Sequence, residues 1–473
     1  MRRSLALVVL LAAACNHTVD HPVAIRVSRT PSVATTTTVP TAPPRTATPT
    51  AMATASPVAL PSCTSYAAPD PKRTVLTADV TVNGRSVTGT ERFVFTPDLA
   101  VSELVLRLWA AAPVPARYGS KQAVTSVKVD GKTRSFTRTS PTVVKVPYAS
   151  PAGTAMTIDV GFTLTLPVGA DERWGNRGTT SWFASGMPLL PWETGHGWDV
   201  EPATTQFAEA STSPEMQLAR LTVHHAAGLA VLATGKTVGQ NETTLVTSAP
   251  TVRDVAVAVG RFRLARSTGA TRAVVGVTPG LPDSASQIAA ETQAHVKRHA
   301  ARYGPFPYEQ VSVVVLPDIT GGIEYPGVIF MSTRQDRDAT LSHELGHEWF
   351  YGLVGDDQAR DPWLDEAFAT MAEALDRGTA SAYTPASAVP ASVRGKTGQP
   401  MTYWEGRKYY FRGVYVQGAG ALLRARATNP RLFDAQLRCY VAHNAHRIAT
   451  PVDVAKDLTV AVPELRRVGA IRG

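Results

Sequence analysis

Between Met156 and Leu166 the chain alternates without a break: Met156, Ile158, Val160, Phe162, Leu164 and Leu166 are apolar, with Thr157, Asp159, Gly161, Thr163 and Thr165 between them. Successive side chains leave a pleated strand on opposite sides, so period two predicts one buried and one wet face. Shorter runs of the same kind extend from Thr74 to about Phe262, broken by turn signals of which Asn83-Gly84 and Asp130-Gly131 are the clearest hairpins. The stretch reads as an antiparallel β-sandwich domain, 72–264.

Past Arg272 the period lengthens. Ile288, Ala289, Val296 and Ala300 recur at helical spacing behind Asp283 and Ser284, which can cap a helix running to Tyr303. A strand follows through Val311 to Leu316, and a helical series opens near Gln335. Residues 265–473 therefore read as a second, α-rich domain.

The N-terminus follows neither pattern. Arg2 and Arg3 precede an apolar run from Leu5 to Ala14 that ends at Cys15, the layout of a signal peptide over 1–14. The run is too short to span a bilayer, which needs about twenty apolar residues. Leu11-Ala12-Ala13-Ala14-Cys15 resembles a bacterial lipobox, with Ala12 where leucine is usual, and makes Cys15 the candidate lipidation site. Ala12-Ala13-Ala14 also satisfies ordinary signal peptidase, and both readings export the chain: lipid-anchored at the cell membrane in the first, secreted in the second. From Cys15 to about Pro71 the sequence is dominated by Thr, Pro, Ala and Ser, too polar to bury a core, and reads as a linker, 15–71. Cys63 and Cys439 are the other cysteines. In an oxidising compartment they can pair, and two free thiols are the equal alternative.

With 473 residues, 44% of them hydrophobic, the chain is long enough for two or three cored domains. The formal charge of +9 comes from 47 basic and 38 acidic residues scattered without a Lys/Arg run, and no nucleic-acid motif accompanies it. An acidic envelope or membrane surface suits that excess better than nucleic acid does.

The candidate chemistry lies in Leu341-Ser342-His343-Glu344-Leu345-Gly346-His347-Glu348. Histidines four apart project from one face of a helix and preorganise two metal ligands. Glu344, next to the first, can reach a water on the metal and act as its base. Trp363-Leu364-Asp365-Glu366-Ala367 places a carboxylate, Glu366, after eighteen intervening residues from His347, on what reads as a second helix. Two histidines, a glutamate and an open fourth position make a catalytic zinc site, one ion per chain, whereas a structural site would be closed, usually by cysteines. Phe350 and Leu353 stand where the three-histidine class needs glycine and histidine. Glu348 reads as part of a solvated face, and His224 and His225 as structural.

These residues resemble the aminopeptidase N family of gluzincins, which includes the leukotriene hydrolases. Gly321-Gly322-Ile323-Glu324-Tyr325-Pro326-Gly327 is similar to the family's Gly-x-Met-Glu-Asn edge strand, along which substrate lies, and Tyr415-Val416-Gln417-Gly418-Ala419 to its Tyr-x-Lys-Gly-Ala pattern. The run from Phe433 to Asp453 looks like the helix that follows. The resemblance covers roughly Thr74 to the C-terminus. It implies a thermolysin-like zinc catalytic domain, a peptide or protein substrate contacted by Gly321, Gly322 and Glu324, with Glu324 on its free α-amino group, and a Tyr415 hydroxyl aimed at the oxyanion. Departures are Ile323, Tyr325, Glu348, Asp365, Ala367 and Gln417, where the family has Met, Asn, Gln, Asn, Gly and Lys. The chain ends about a hundred residues after Glu366, so the family's large C-terminal helical domain is expected to be missing. The expected activity is aminopeptidase. An endopeptidase or non-peptide hydrolase is the alternative on the same site, and a metal-free binding scaffold the alternative of another class. No protein partner is implied.

Overall fold

A computed structural model describes residues 60–170, 172–204, 214–269, 271–332 and 336–472. The signal segment, Cys15, the linker up to residue 59 and Gln335 lie outside them.

The first half builds an eight-stranded sheet in the order Lys236–Gln240, Thr244–Val252, Met216–His224, Thr74–Asn83, Ser86–Phe95, Met156–Thr165, Lys121–Val129, Lys132–Thr133. The sheet is not purely antiparallel as expected: Thr74–Asn83 pairs in parallel with Met216–His224. Local alternation cannot reveal this, because parallel neighbours need a long crossover and here most of the domain supplies it. Met156, Ile158, Val160, Phe162, Leu164 and Leu166 are all buried on one side. They meet Leu104, Leu106, Val144 and Val146 of a three-stranded sheet, and Trp174, Phe183 and Val257 of a five-stranded one, in one continuous core. Asp130 and Gly131 form a two-residue hairpin loop with φ of 50° and 75°, which the mirror-image turn requires. At Asn83-Gly84 the loop residues are Gly84 and Arg85, between the paired Asn83 and Ser86.

The second half opens on a five-stranded sheet ordered Arg263–Ser267, Arg272–Val277, Gln310–Val315, Val328–Met331, Gly322–Tyr325, parallel in its two central pairings and antiparallel at both edges. Its first strand straddles the 264/265 boundary drawn from sequence. One face packs Ala273, Val275, Val313 and Val315 on Ile288, Ala289 and Val296 of the helix Ala285–Tyr303 and on Leu341 and Leu345. The other packs Val274, Val314, Ile323 and Tyr325 on Trp182, Leu232 and Ala256 of the first half. A sheet buried on both faces explains the unbroken apolar run of Val313–Leu316. Ser284, not Asp283, caps the first helix, its side chain accepting from the Gln287 amide.

Behind this sheet a helical core gathers Trp363, Phe368, Leu422, Phe433 and Tyr440. Cys63 and Cys439 are joined in a disulfide, which settles the alternative left open by the sequence. His224 faces Asp79 at 3.2 Å, and His225 is buried with Nδ1 3.0 Å from the Ala226 carbonyl. Among the described residues no helix is long and apolar enough to cross a membrane.

Phe162 lies cross-strand from Gly89, where an added Cβ would come within 2.8 Å of the ring. Phe162→Ala is expected to cost about 3–5 kcal/mol, the range for emptying a buried aromatic site, read from the urea midpoint of the β-domain. A cost below about 1 kcal/mol would contradict this packing.

Candidate metal centre

His343 and His347 sit on the last turns of the helix Arg337–His347, whose first turn is capped by Asp336 accepting from the Ala339 amide at 3.1 Å. Glu366 sits on the first turn of the helix Trp363–Arg377. The two helices approach closely because small residues face each other: a Cβ on Gly346 would stand 3.2 Å from the Ala372 Cβ and 3.3 Å from the Ala369 Cα. This close approach brings the carboxylate back to the histidines.

His343 Nε2 lies 3.1 Å from His347 Nε2, and Glu366 Oε2 lies 3.4 Å and 3.5 Å from them. Zinc at about 2.0–2.1 Å from tetrahedral ligands requires donors about 3.3 Å apart, so the three atoms outline one face of such a site. Glu366 Oε2 is buried with no hydrogen-bond partner, while Oε1 accepts from the Tyr415 hydroxyl. The donor set and the orphaned oxygen both fit a bound cation.

The surroundings orient these donors. His347 Nδ1 is hydrogen-bonded to Asp365 Oδ1, and the other Asp365 oxygen accepts from Gln358 Nε2. A carboxylate on one ring nitrogen fixes the tautomer and leaves the other for the metal. Asp365 is fully buried and was not singled out as a functional residue from sequence; its signal was a carboxylate in the first turn, one residue before the expected ligand. Ser342 Oγ donates to Asp376 at 2.7 Å, and His299 Nε2 lies 3.0 Å from the Ser342 carbonyl, tying the metal helix to both its neighbours.

Glu344 and Glu324 flank the donors. Glu324 Oε2 is 4.0 Å from His347 Nε2, and one ligand atom each from Glu324, Glu344 and His347 falls within a 4.8 Å cluster. Glu324 projects from the edge strand Gly322–Tyr325. Its neighbours Ile323 and Tyr325 alternate to the other side and are buried in the sheet's core, where the Tyr325 hydroxyl accepts from Arg173 at 3.0 Å. The tyrosine beside Glu324 therefore points into the core, away from the donors. A Cβ on Gly322 would lie 2.6 Å from Glu344 Oε1, so any larger residue there would displace the Glu344 carboxylate. Gly321 has φ of 74°, and a Cβ on it would face Glu172 Oε1 at 3.6 Å. Glu172, contributed by the first half, accepts from Thr320 Oγ1 at 3.3 Å and was not found from sequence, where no local pattern surrounds it.

Burial raises the Glu344 carboxyl well above its ordinary range, and Glu324, Glu366 and Glu172 push it further. Burial and Glu324 likewise carry Glu366 to about 7, although His347 pulls the other way. Burial, with His347 nearby, lowers His343 to about 3, so its ring is neutral at physiological pH, the form that can hold a metal. For His347 burial favours the neutral ring, but Asp365, Glu324 and Glu366 outweigh it and raise its proton affinity. Crowded carboxylates in low dielectric resist ionising together, and a divalent cation would offset that penalty.

Tyr415 belongs to a widened π-type turn, Arg412–Val416, an irregularity common at functional sites. Its ring stacks on His343 at 5.9 Å, with an interplanar angle of 8°. Of the competing phenols, Tyr410 is buried edge-on against it at 5.7 Å, Tyr403 lies under Arg407, and Tyr409 is exposed. Gln417 braces this turn, donating to Thr397 Oγ1 at 2.8 Å and accepting from the Gly395 amide at 3.0 Å. One expectation is corrected: Glu348 is buried, not solvated, and its carboxylate accepts from the Gly327 amide at 3.0 Å. The helix end folds inward against the turn that follows the edge strand, which local sequence could not show.

The fold is that of the M1 zinc metallopeptidases. A mutant of such an enzyme from Deinococcus radiodurans, bound to a Tyr-Ser-Ala substrate, superposes with a TM-score of 0.65 at 18% identity, covering 85% of this chain and 96% of that one. A two-domain M1 zinc metallopeptidase mutant bound to L-arginine gives 0.63 at 19% identity, covering 85% and 95%. In sequence, an aminopeptidase N from Streptomyces lividans is 34% identical over 16% of this chain and 10% of its own length. An aminopeptidase N from Oryctolagus cuniculus is 33% identical over 15% and 9%. Aminopeptidase M1-D from Oryza sativa subsp. japonica is 32% identical over 14% and 9%. The matching stretch thus spans about a tenth of these curated relatives. No protein-family model matches the chain.

Replacing Asp365 by Asn removes the anionic partner of His347 while keeping its shape. Zinc affinity is expected to fall about 10- to 100-fold, measured by competition with a chromophoric chelator, with the circular dichroism spectrum unchanged. Unaltered affinity would remove Asp365 from the account of the site.

Proposed function

We propose that the chain is a zinc-dependent aminopeptidase that releases N-terminal residues from peptides. The observation that carries this reading is the single tetrahedral face formed by His343, His347 and Glu366, with Glu344 and Glu324 set beside it. The structural relative bound to a Tyr-Ser-Ala substrate supports a peptide as the molecule acted on.

His343, His347 and Glu366 would hold the ion. Zinc, when bound, supplies a Lewis acid for the scissile carbonyl and lowers the pKa of a water nucleophile. Glu344, on the helix that carries both histidines, takes the proton from that water and returns it to the leaving amine. Its buried setting raises the carboxyl's proton affinity toward that of a working base. Tyr415 gives its hydroxyl hydrogen bond to the carbonyl oxygen as negative charge develops there, exchanging its present partner Glu366 for substrate. The edge strand Gly322–Tyr325 pairs on one side only among the described residues, leaving its other side for an extended peptide. Glu324 holds the α-ammonium group by charge and hydrogen bond.

We also propose that the protein is exported, lipid-anchored through Cys15 or secreted. Support comes from the N-terminal pattern of Arg2-Arg3, apolar run and Cys15, and from the Cys63–Cys439 disulfide, a bond that persists in oxidising compartments.

Glu344→Gln is expected to keep one zinc per chain and to lower kcat by about 10²- to 10⁴-fold, the share of a general base. Metal analysis beside arylamide hydrolysis measures both, and full activity in the variant would sink the mechanism. N-acetylation of a peptide substrate, which removes the charge bound by Glu324, is expected to lower kcat/KM at least about 100-fold, a loss of roughly 3 kcal/mol. Equal cleavage of blocked and free peptides would instead indicate an endopeptidase.

A further inference from the structure

The chain from Leu60 to Arg73 runs over the helical half before entering the β-domain at Thr74. Three residues hold it there. Cys63 is bonded to Cys439, the Ala67 amide donates to the Ala442 carbonyl at 2.8 Å, and the Tyr66 hydroxyl accepts from Trp349 Nε1 at 3.1 Å while donating to the Pro305 carbonyl. Trp349 comes two residues after the ligand His347, so this strap touches the end of the metal helix.

The surroundings of the disulfide are asymmetric. Cys439 is buried in the helix Pro430–Asn444, whereas Cys63 is partly exposed. His443, one turn along the same helix, has its side chain 57% exposed and its Nε2 3.5 Å from Cys63 Sγ. Its Nδ1 faces Asp457 Oδ1 at 3.2 Å, and the other Asp457 oxygen accepts from Asn444 Nδ2 at 2.8 Å. The reachable sulfur thus has an imidazole beside it, and that imidazole is held by an anchored carboxylate. A carboxylate on Nδ1 orients the ring so that Nε2 faces the sulfur. A disulfide with one partly exposed cysteine and an imidazole beside it is open to attack by an external thiolate. The proposed peptide hydrolysis uses none of these groups.

We propose that Cys63–Cys439 is a thiol–disulfide exchange site, served by His443 and Asp457, whose partner is a dithiol reductant of the C-x-x-C class. A partner thiolate attacks Cys63 Sγ, forming a mixed disulfide, and the Cys439 thiolate leaves and takes a proton from solvent. The partner's second thiolate then attacks its own sulfur in the mixed disulfide. The Cys63 thiolate leaves and takes a proton from solvent by way of the His443 ring, whose Nε2 lies 3.5 Å from Cys63 Sγ. Two electrons pass from the dithiol, which ends as a disulfide, to this chain, which ends with two thiols. Reduction removes the covalent hold on the strap and leaves only the Ala67 and Tyr66 contacts.

The test treats the full chain, folded and without denaturant, with the dithiol dithiothreitol, then alkylates and quantifies Cys63 and Cys439 by mass spectrometry. Both cysteines are expected to become alkylated while the protein stays folded, and exchange at the Ala67 amide should rise at least about tenfold. His443→Gln should slow reduction at least about tenfold, with Asp457→Asn between it and the parent. A bond that resists dithiothreitol until the protein unfolds, or that is reduced equally fast in parent and His443→Gln, overturns the proposal. If His443→Gln fails to fold, Asp457→Asn decides alone by the same rate comparison.

Discussion

Crowding of negative charge at one buried point is the constraint around which the rest of the molecule is arranged. Glu324, Glu344, Glu366 and Asp365 are all buried within reach of two imidazoles. Without compensation, such a group of carboxylates in low dielectric would be held largely protonated, which is the direction in which Glu344 and Glu366 are pushed. A dication reverses that logic and is the natural occupant of the donor face. Every element that touches the site can be read as a means of keeping these groups together at donor spacing.

Three such means are visible. Small residues at Gly346, Ala369 and Ala372 let two helices approach until a carboxylate from one meets histidines from the other. A sheet buried on both faces fixes the edge strand carrying Glu324, with Ile323 and Tyr325 rooted in the core it shares with the first half. Gln358, Asp365 and His347 form a hydrogen-bonded chain that aims one ring nitrogen at the open face. The β-domain is part of this architecture, because Arg173 braces Tyr325 and Glu172 stands opposite Gly321. The first half thus braces the strand that carries Glu324.

Much of this was legible in the sequence, for different reasons at different places. The strand Met156–Thr165 was readable because its two faces meet different solvents, and period two records that directly. The helix Ala285–Tyr303 was readable from its cap and its spacing. The parallel pairing of Thr74–Asn83 with Met216–His224 was not, since each strand alternates the same way whatever its neighbour. Glu348 was misread because a glutamate following the helix looks solvated until the turn at Gly327 is known to lie above it.

The sequence by itself determined which side chains can bind a metal and how two of them are preorganised, because the i, i+4 relation of His343 and His347 is fixed by the helix and needs no partner. It also placed a carboxylate after eighteen intervening residues, and showed which glycines and which tyrosine accompany the motif. Only the tertiary structure decided that Glu366 meets both histidines at 3.4 Å and 3.5 Å, that Asp365 backs His347, that Tyr325 faces away from Glu324, and that Cys63 reaches Cys439. Those outcomes depend on how closely separate elements pack and which faces they turn to each other, and packing is set by the whole core rather than by any local run of residues.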